Sequence, residues 1–386
     1  MVGTKNSNYS IFLLAILFIE FTSYFLRANS LPNLGIYIRM AIFTFIIVNF
    51  LLCMLADIVN GELLSSLCIR AVVFWIYAVL VYFLRTDDFS WVNLINITTW
   101  MAVLYLFYYY GFPQSGKLLN FVVGAFATVF IVFYYRFALN NGFVGDKPGV
   151  VNAVYYLVMI IPFLLLFNNK VLKVLFISVI SLLTIQSSKT TAILMVLFSI
   201  LICFVLSGGT KRKNFLMLLG SLIAFLAVFL LMLKFTDLNI RDIVSADIDD
   251  GGNGRFDIWR SILIRYKNGS IMEKLFGYGF NFSVSVTGFS AHCDFFEIIT
   301  SFGIIGFLLF FSWFIFTAKK IVFHMRNQKY YYIALVVLLQ MLLIFLFSTS
   351  IFVSNYFLLL SAFIGMLFNY YENQENNSVI AEGDGI

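Results

Sequence analysis

The chain has 386 residues, of which 62% are apolar and only 11% are charged, and its mean hydropathy is +0.96. A soluble domain carries about 25% charged residues, so this composition excludes a soluble globular protein, whose surface so few charges could not cover. The net charge of +6 does not indicate nucleic-acid binding either, because the basic residues cluster in short segments between apolar runs.

The apolar residues occur in runs of about 18–22, the length that a helix needs to cross roughly 30 Å of hydrocarbon. Inside lipid the backbone polar groups must bond to one another, so each run is predicted to be an α-helix. The first run starts near Ser10 and has no small-residue cleavage site after it, which predicts a retained span. The sequence thus predicts an all-α polytopic membrane protein with about twelve transmembrane helices and one large external loop. The predicted spans cover residues 10–26, 36–55, 67–84, 92–110, 118–136, 149–167, 171–186, 190–207, 214–235, 295–316, 329–347 and 350–369.

Few residues interrupt these apolar runs. Pro162 lies inside the sixth predicted span and should kink it, because proline lacks the backbone N–H and its ring clashes with the preceding turn. Charges inside the spans are few; Glu20, Arg39 and Asp57 lie within or near them. The four cysteines form no CxxC pair, which argues against a zinc site or a disulfide framework; they are Cys53, Cys68, Cys203 and Cys293.

The short loops predict the orientation, because Lys and Arg concentrate on the cytoplasmic side of a membrane. The Lys-Arg-Lys run at 211–213 marks one cytoplasmic loop, and the basic residues between 319 and 329 mark another. Two predicted spans and the long segment 236–294 lie between them, which places that segment outside. Alternation then puts both termini in the cytoplasm. We predict a transmembrane domain over 1–371 and a polar, acidic, disordered tail over 372–386.

The external loop, residues 236–294, is the long polar stretch of the chain and has a net charge near −2. An anion would therefore have to be bound by particular arginines in a shaped site. Residues 247–254 are acidic and rich in turn formers. They resemble a calcium loop in composition, but the bidentate glutamate at the twelfth position is missing, which favours a solvated turn.

An amphipathic helix is predicted directly after this turn, because apolar side chains recur at helical spacing from Arg255 onward. Such a helix would lie on the outer membrane surface. Arg255 stands at its start, where a surface salt bridge or a lipid-headgroup contact is the ordinary alternative to a role in a site. The apolar face comprises Phe256, Trp259, Ile262, Leu263 and Tyr266.

His292 lies just before the tenth predicted span, at the outer interface. Asp294 and Glu297 fit a helix N-cap and its N3 partner there. A helix N-terminus disfavours the charged imidazolium, so His292 is predicted to be neutral and able to accept a proton near pH 7. The second histidine, His324, lies among predicted cytoplasmic basic residues.

Several short motifs follow one another along the sequence: the link Gln186–Thr191, Gly254-Arg255-x-x-x-Trp259, Gly277-x-Gly279, His292, Glu297 and Gly303-Ile-Ile-Gly306. In order and spacing, these motifs resemble the O-antigen ligase and O-antigen polymerase superfamily, which includes Wzy-like polymerases of O-antigen or capsular polysaccharide. Two positions depart from the family pattern. Lys189 stands where the family has arginine, so a bidentate anion clamp would become a point charge, and Cys293 stands where many members carry asparagine.

The resemblance implies glycosyl transfer on the periplasmic face of a bacterial inner membrane, from a glycan carried on undecaprenyl diphosphate. It implies that His292 accepts the proton of the acceptor hydroxyl and that Arg255 binds the diphosphate. Lys189 is a further candidate for the diphosphate, and we add Arg241 on the basis of its charge. Because diphosphate is a good leaving group, no metal or cofactor is expected, and in-line attack would invert the anomeric configuration.

Three functions stay open at the level of sequence. A polymerase would join lipid-linked repeat units, whereas a ligase would transfer the glycan to lipid A–core. We favour the polymerase, because the 47 phenylalanines are typical of a strain-specific polysaccharide locus. A lipid-linked oligosaccharide flippase is the third candidate, although transporters usually show repeated halves and charges at mid-membrane. Expected partners are the lipid-linked donor and acceptor, membrane lipids and a chain-length regulator protein; nucleic acid is not expected.

Overall fold

The computed structural model describes residues 8–29, 32–61, 65–85, 90–113, 115–136, 153–187, 189–206, 255–326, 328–348 and 357–383. Over these residues the chain is helical and has no strands, which confirms the all-α prediction. The predicted ninth span, residues 214–235, lies outside the described residues. The helices are α1 Asn8–Asn29, α2 Pro32–Val59, α3 Ser66–Arg85, α4 Trp91–Tyr110, α5 Gly116–Tyr134, α6 Val154–Met159, α7 Ile161–Leu165, α8 Lys170–Gln186, α9 Thr190–Leu206, α10 Arg255–Asn268, α11 Ile271–Phe276, α12 Phe282–Thr287, α13 Asp294–Lys319, α14 Tyr331–Phe347 and α15 Phe357–Gly383.

Several of these helices are suited to a membrane. By length and composition, five apolar stretches among the described residues could cross a bilayer, and shorter apolar helices lie between them. The polytopic prediction is therefore confirmed. The long stretches are Asn33–Val59, Ser66–Arg85, Trp91–Tyr110, Gly116–Tyr134 and Asp294–His324.

The sixth predicted span is broken next to Pro162, as its sequence predicts. Helices α6 and α7 meet at Ile160. The carbonyl of Val158 stands four residues before Pro162, which has no N–H to bond to it. The Gln340 amide donates to that carbonyl at 3.3 Å and to the hydroxyl of Ser199 at 3.2 Å. One side chain on α14 therefore ties the broken span to α9.

The few charges inside the bundle have partners on neighbouring helices. The Nε atom of Arg39 lies 3.6 Å from a carboxylate oxygen of Glu20, and its guanidinium donates to Asn96 at 3.2 Å. Asp57 accepts a hydrogen bond from the hydroxyl of Tyr105. A polar group in hydrocarbon needs such a partner, and these contacts join α1, α2 and α4.

The C-terminal end of the chain differs from the prediction of a disordered tail beginning at Glu372. Helix α15 continues to Gly383. Its first acidic residues have partners: Glu372 accepts from the hydroxyl of Tyr108 at 2.5 Å, and Glu375 lies 3.3 Å from Lys320. These contacts with two other helices were hidden from a prediction based on local polarity.

Helix α13 is interrupted at Gly303, whose φ of 69° and ψ of −174° are not helical. A break leaves carbonyls without their helical donors. The external turn that contains Gly277 supplies two of the replacements, so the break is where the loop docks on the bundle. Tyr278 N donates to Thr300 O at 2.9 Å, Gly279 N to Ser301 O at 3.1 Å, and the Tyr77 hydroxyl to Phe302 O at 2.8 Å.

Replacing Gly303 with alanine is expected to destabilise the protein strongly. An added Cβ would lie 2.3 Å from the carbonyl oxygen of Leu275 and 2.5 Å from the nitrogen of Gly277, both backbone atoms. The strained φ and the overlap together should cost about 3 kcal/mol or more. Thermal unfolding in detergent measures the loss. Gly116→Ala is the matched control, because its Cβ would meet nothing within 4 Å; equal stability of both variants would contradict the close backbone contact.

Candidate active site

Helix α10 begins at Arg255, as predicted, and it is fixed to the loop that carries His292. One turn along, the indole Nε1 of Trp259 donates to the carbonyl of Ala291 at 2.6 Å. The ring of Trp259 also packs on Phe296, with centroids 5.3 Å apart. The spacing between Arg255 and Trp259 therefore has a structural reason: the tryptophan holds the arginine's helix beside the histidine.

The predicted apolar face of α10 is only partly covered by the rest of the described protein. Ile262 is buried, whereas Phe256 is 63% exposed and Leu263 is 46% exposed. An uncovered apolar face on a helix that also carries Arg260 and Arg265 is typical of helices at a membrane surface. That location stays a prediction.

The helix after His292 does not begin as predicted. Its N-cap is Cys293, which makes no side-chain cap, so the proposed pair of Asp294 as N-cap and Glu297 as N3 is wrong. The carboxylate of Glu297 bonds to a residue further back in the chain instead. A capping box does occur in the external loop, between Ser270 and Glu273 at the start of α11.

Glu297 is buried, at 5% exposure, and its Oε1 atom has two donors. The backbone N–H of Ala291 donates to it at 2.6 Å and the hydroxyl of Ser283 at 2.5 Å. Sequence reasoning assigned this glutamate a local capping role, because the tertiary donor Ser283 cannot be found from spacing along one helix.

His292 has a positive φ of 51°, which is uncommon for a residue other than glycine. Its pKa is lowered to about 4, first by burial and then by the positive charges of Arg255 and Lys189. At neutral pH the imidazole is therefore uncharged, as the sequence predicts. The sequence-based prediction attributed this to the helix N-terminus, whereas burial and the two cations are the causes in the structure. Three of the predicted site residues, from three separate parts of the chain, thus lie within electrostatic reach of one another.

Lys189 lies in the link between α8 and α9 and is only partly exposed. Its backbone N–H donates to the hydroxyl oxygen of Ser187 at 3.2 Å. Its ammonium nitrogen is 5.9 Å from the ring centroid of Tyr155. The link therefore turns a cation back toward the first turn of α6.

Tyr155 was not predicted as a site residue, because a tyrosine in an apolar run reads as core or interface. It is fully buried, and its hydroxyl lies within the influence of Thr191, Ser348 and the charge of Arg255. Together with Lys189, this makes one polar region from α6, α9, α10 and α14.

Two predictions about the external loop have no structural test. Arg241, the fourth candidate site residue, lies outside the described residues, and so does the acidic turn at 247–254. Arg241 therefore stays a prediction.

The arrangement brings together two kinds of chemical group. Two cations, Arg255 and Lys189, can bind an anion, and a neutral imidazole, His292, beside them can accept a proton. Cations beside a neutral base suit a reaction in which a hydroxyl loses its proton while negative charge develops on a leaving group.

Comparison with known proteins agrees with this geometry. Residues 173–311 match the family model described as O-antigen ligase. The match contains Lys189, Arg255 and His292, and it confirms the predicted resemblance to the O-antigen ligase and polymerase superfamily. A comparison with curated proteins finds no match.

Proposed function

We propose, from the O-antigen ligase-type segment at 173–311, that this protein transfers a glycan from undecaprenyl diphosphate to a sugar hydroxyl on the outer face of the bacterial inner membrane. The observation that carries the proposal is the convergence of His292, Arg255 and Lys189, in which both cations act on the imidazole. A structural salt bridge or a headgroup contact at Arg255 would not need a neutral histidine beside it.

In the proposed reaction, His292 takes the proton of the acceptor hydroxyl. The oxygen attacks the anomeric carbon of the donor sugar, a new C–O bond forms, and the bond from that carbon to the diphosphate oxygen breaks. The bonding pair leaves with the diphosphate, whose added charge is stabilised by Arg255 and Lys189. The proton ends on His292, and attack opposite the leaving group inverts the anomeric carbon.

The membrane-embedded fold suits such a donor. Its lipid is soluble only in hydrocarbon, whereas the sugar and diphosphate need water and cations. A helical bundle with its polar residues at one end of α6, α9 and α13 can contact both parts of one molecule. Because an anion between Arg255 and Lys189 would offset their charge, donor binding is expected to raise the pKa of His292 and strengthen it as a base.

Among the finer functions we favour the polymerase, on the phenylalanine-rich composition described above. The ligase is the second candidate, because the matching family model carries that description. A flippase has less support: the charges Glu20, Arg39 and Asp57 have partners that join helices, which is a structural use of charge and not a transport path.

The purified protein, given a defined lipid-linked repeat unit, is expected to release undecaprenyl diphosphate and form a ladder of longer glycans on the lipid. Transfer only when lipid A–core is added would identify a ligase. Absence of both products, from protein that remains folded, would overturn the proposal.

The predicted orientation can be measured separately with an impermeant thiol reagent on intact cells. A cysteine at Arg260, which is exposed on α10, is expected to be labelled from outside, and one at Lys329 only after the membrane is opened. Labelling in the reverse pattern would place His292 in the cytoplasm and contradict a reaction on the outer face.

A further inference from the structure

The residues on either side of His292 in the sequence both make hydrogen bonds to Glu297. The carboxylate of Glu297 accepts from the backbone N–H of Ala291, directly before the histidine, at 2.6 Å. Its own backbone N–H donates to the carbonyl of Cys293, directly after the histidine, at 3.1 Å. The two neighbours of His292 are thus held to one point at the start of α13.

Trp259 holds the same stretch through a second contact. Its indole donates to the carbonyl of Ala291 at 2.6 Å, so the peptide unit that joins Ala291 to His292 is fixed directly. Ser283 donates to the same carboxylate oxygen of Glu297 at 2.5 Å. Ser283 is buried and Trp259 is half-buried. Hydrogen bonds to a carboxylate are stronger than those between neutral groups.

These contacts maintain a backbone that would not otherwise be favoured. A residue other than glycine at a φ of 51° is strained, and this conformation persists only where its surroundings determine it. If Ala291 were released, His292 could relax to a negative φ, and its side chain would then point in another direction. Lys189 belongs to another segment, and the packing of Trp259 on Phe296 would still hold the helix of Arg255.

We infer that Glu297, together with Trp259, is a positioning residue that sets the direction of the His292 imidazole for proton transfer. The inference rests on the proposed function, in which His292 is the base. Glu297 itself does not touch the reacting atoms. Its effect should appear in kcat, because a misdirected base slows the chemical step, and not in the affinity for the donor, which Arg255 and Lys189 determine.

The test compares Glu297→Ala and Glu297→Gln in the full-length protein. A base displaced by about 1 Å loses about 100-fold in rate, so the alanine variant is expected to lose about 100-fold in kcat, with KM for the lipid-linked donor nearly unchanged. Glutamine keeps an oxygen that can accept from Ala291 and should recover most of kcat. Glu273→Ala, which removes a glutamate of the external loop from a capping box away from His292, is the matched control and should keep full activity.

Trp259→Phe provides a second measurement if the alanine variant does not fold. Phenylalanine keeps the ring contact with Phe296 but lacks the indole N–H, and kcat should fall while KM stays. Normal kcat in Trp259→Phe or in folded Glu297→Ala overturns the inference. The inference is also overturned if Glu297→Ala and Glu297→Gln lose kcat to the same extent and lose thermal stability to the same extent. If His292→Ala were active, the proposed function itself would fail; an inactive His292→Ala with an active Glu297→Ala defeats only the positioning role.

Discussion

His292→Ala is expected to remove nearly all glycan transfer while the protein still inserts and folds. The imidazole is neutral at pH 7, because its pKa is lowered to about 4, so it can accept the proton of the acceptor hydroxyl. General-base catalysis contributes about 10²–10⁴-fold to a rate, and the loss should be of that size. The measurement is the rate of undecaprenyl diphosphate release by purified protein.

His324→Ala is the matched control for this variant. It removes the other histidine of the chain, an exposed residue at the end of the π-helical turn Lys320–His324 that follows α13, near the predicted cytoplasmic surface. Transfer by His324→Ala should be unchanged. A folded His292→Ala protein with transfer within a few-fold of the original would show that the acceptor proton goes elsewhere.

The fold could be predicted from the sequence because hydrocarbon imposes one strong rule. A run of apolar residues must form a helix that satisfies its own backbone, so the predicted spans overlap the described helices from α1 to α9. The break at Pro162 was predictable because proline lacks the backbone N–H and its ring clashes with the preceding turn. Gly303 was not, because its break depends on donors from Tyr278 and Gly279, which approach from the external loop.

The site could be predicted only as separate residues. Arg255 and His292 were found from motifs, yet nothing in their spacing shows that Trp259 bonds to the carbonyl of Ala291. Glu297 was placed in a local cap because the sequence offers a cap at that spacing. The structure uses the carboxylate for a contact with Ser283 and Ala291 instead. Interactions across the fold, and not local patterns, decided both cases.

Arg255→Lys and Arg255→Gln are expected to separate the two roles of this guanidinium. Both lose the planar fork that can bind two phosphate oxygens, and removing one donor to developing charge typically costs about 10²–10³-fold in kcat. Lysine keeps the positive charge, so the loss of kcat in Arg255→Lys should be smaller than in Arg255→Gln but still exceed about 10-fold. Normal transfer by Arg255→Lys would contradict a bidentate contact with the diphosphate.

The pH dependence of Arg255→Lys and Arg255→Gln distinguishes the effect of the charge at position 255 from the effect of the shape of its side chain. His292 must be neutral to act, and kcat/KM reports the free protein, so its acid limb should lie well below the ordinary histidine pKa of 6.5, toward 4. Arg255→Gln removes one of the charges that depress this pKa, so the acid limb should move to higher pH; Arg255→Lys should leave it in place. If both variants kept the limb of the original protein, Arg255 would not act on the imidazole.

A stability measurement must accompany these profiles, because the same shift makes folding depend on pH. The unfolded chain protonates His292 near pH 6.5, whereas the folded protein resists protonation until about pH 4. Below pH 6.5 the unfolded state therefore binds more protons, and stability falls as the pH falls through this window. Arg255→Gln narrows the window and should lose less stability between pH 6.5 and 4 than the original protein does. Activity and unfolding should consequently shift in opposite directions in one variant: it needs a higher pH for transfer, yet tolerates acid better. A general loss of structure cannot produce that combination.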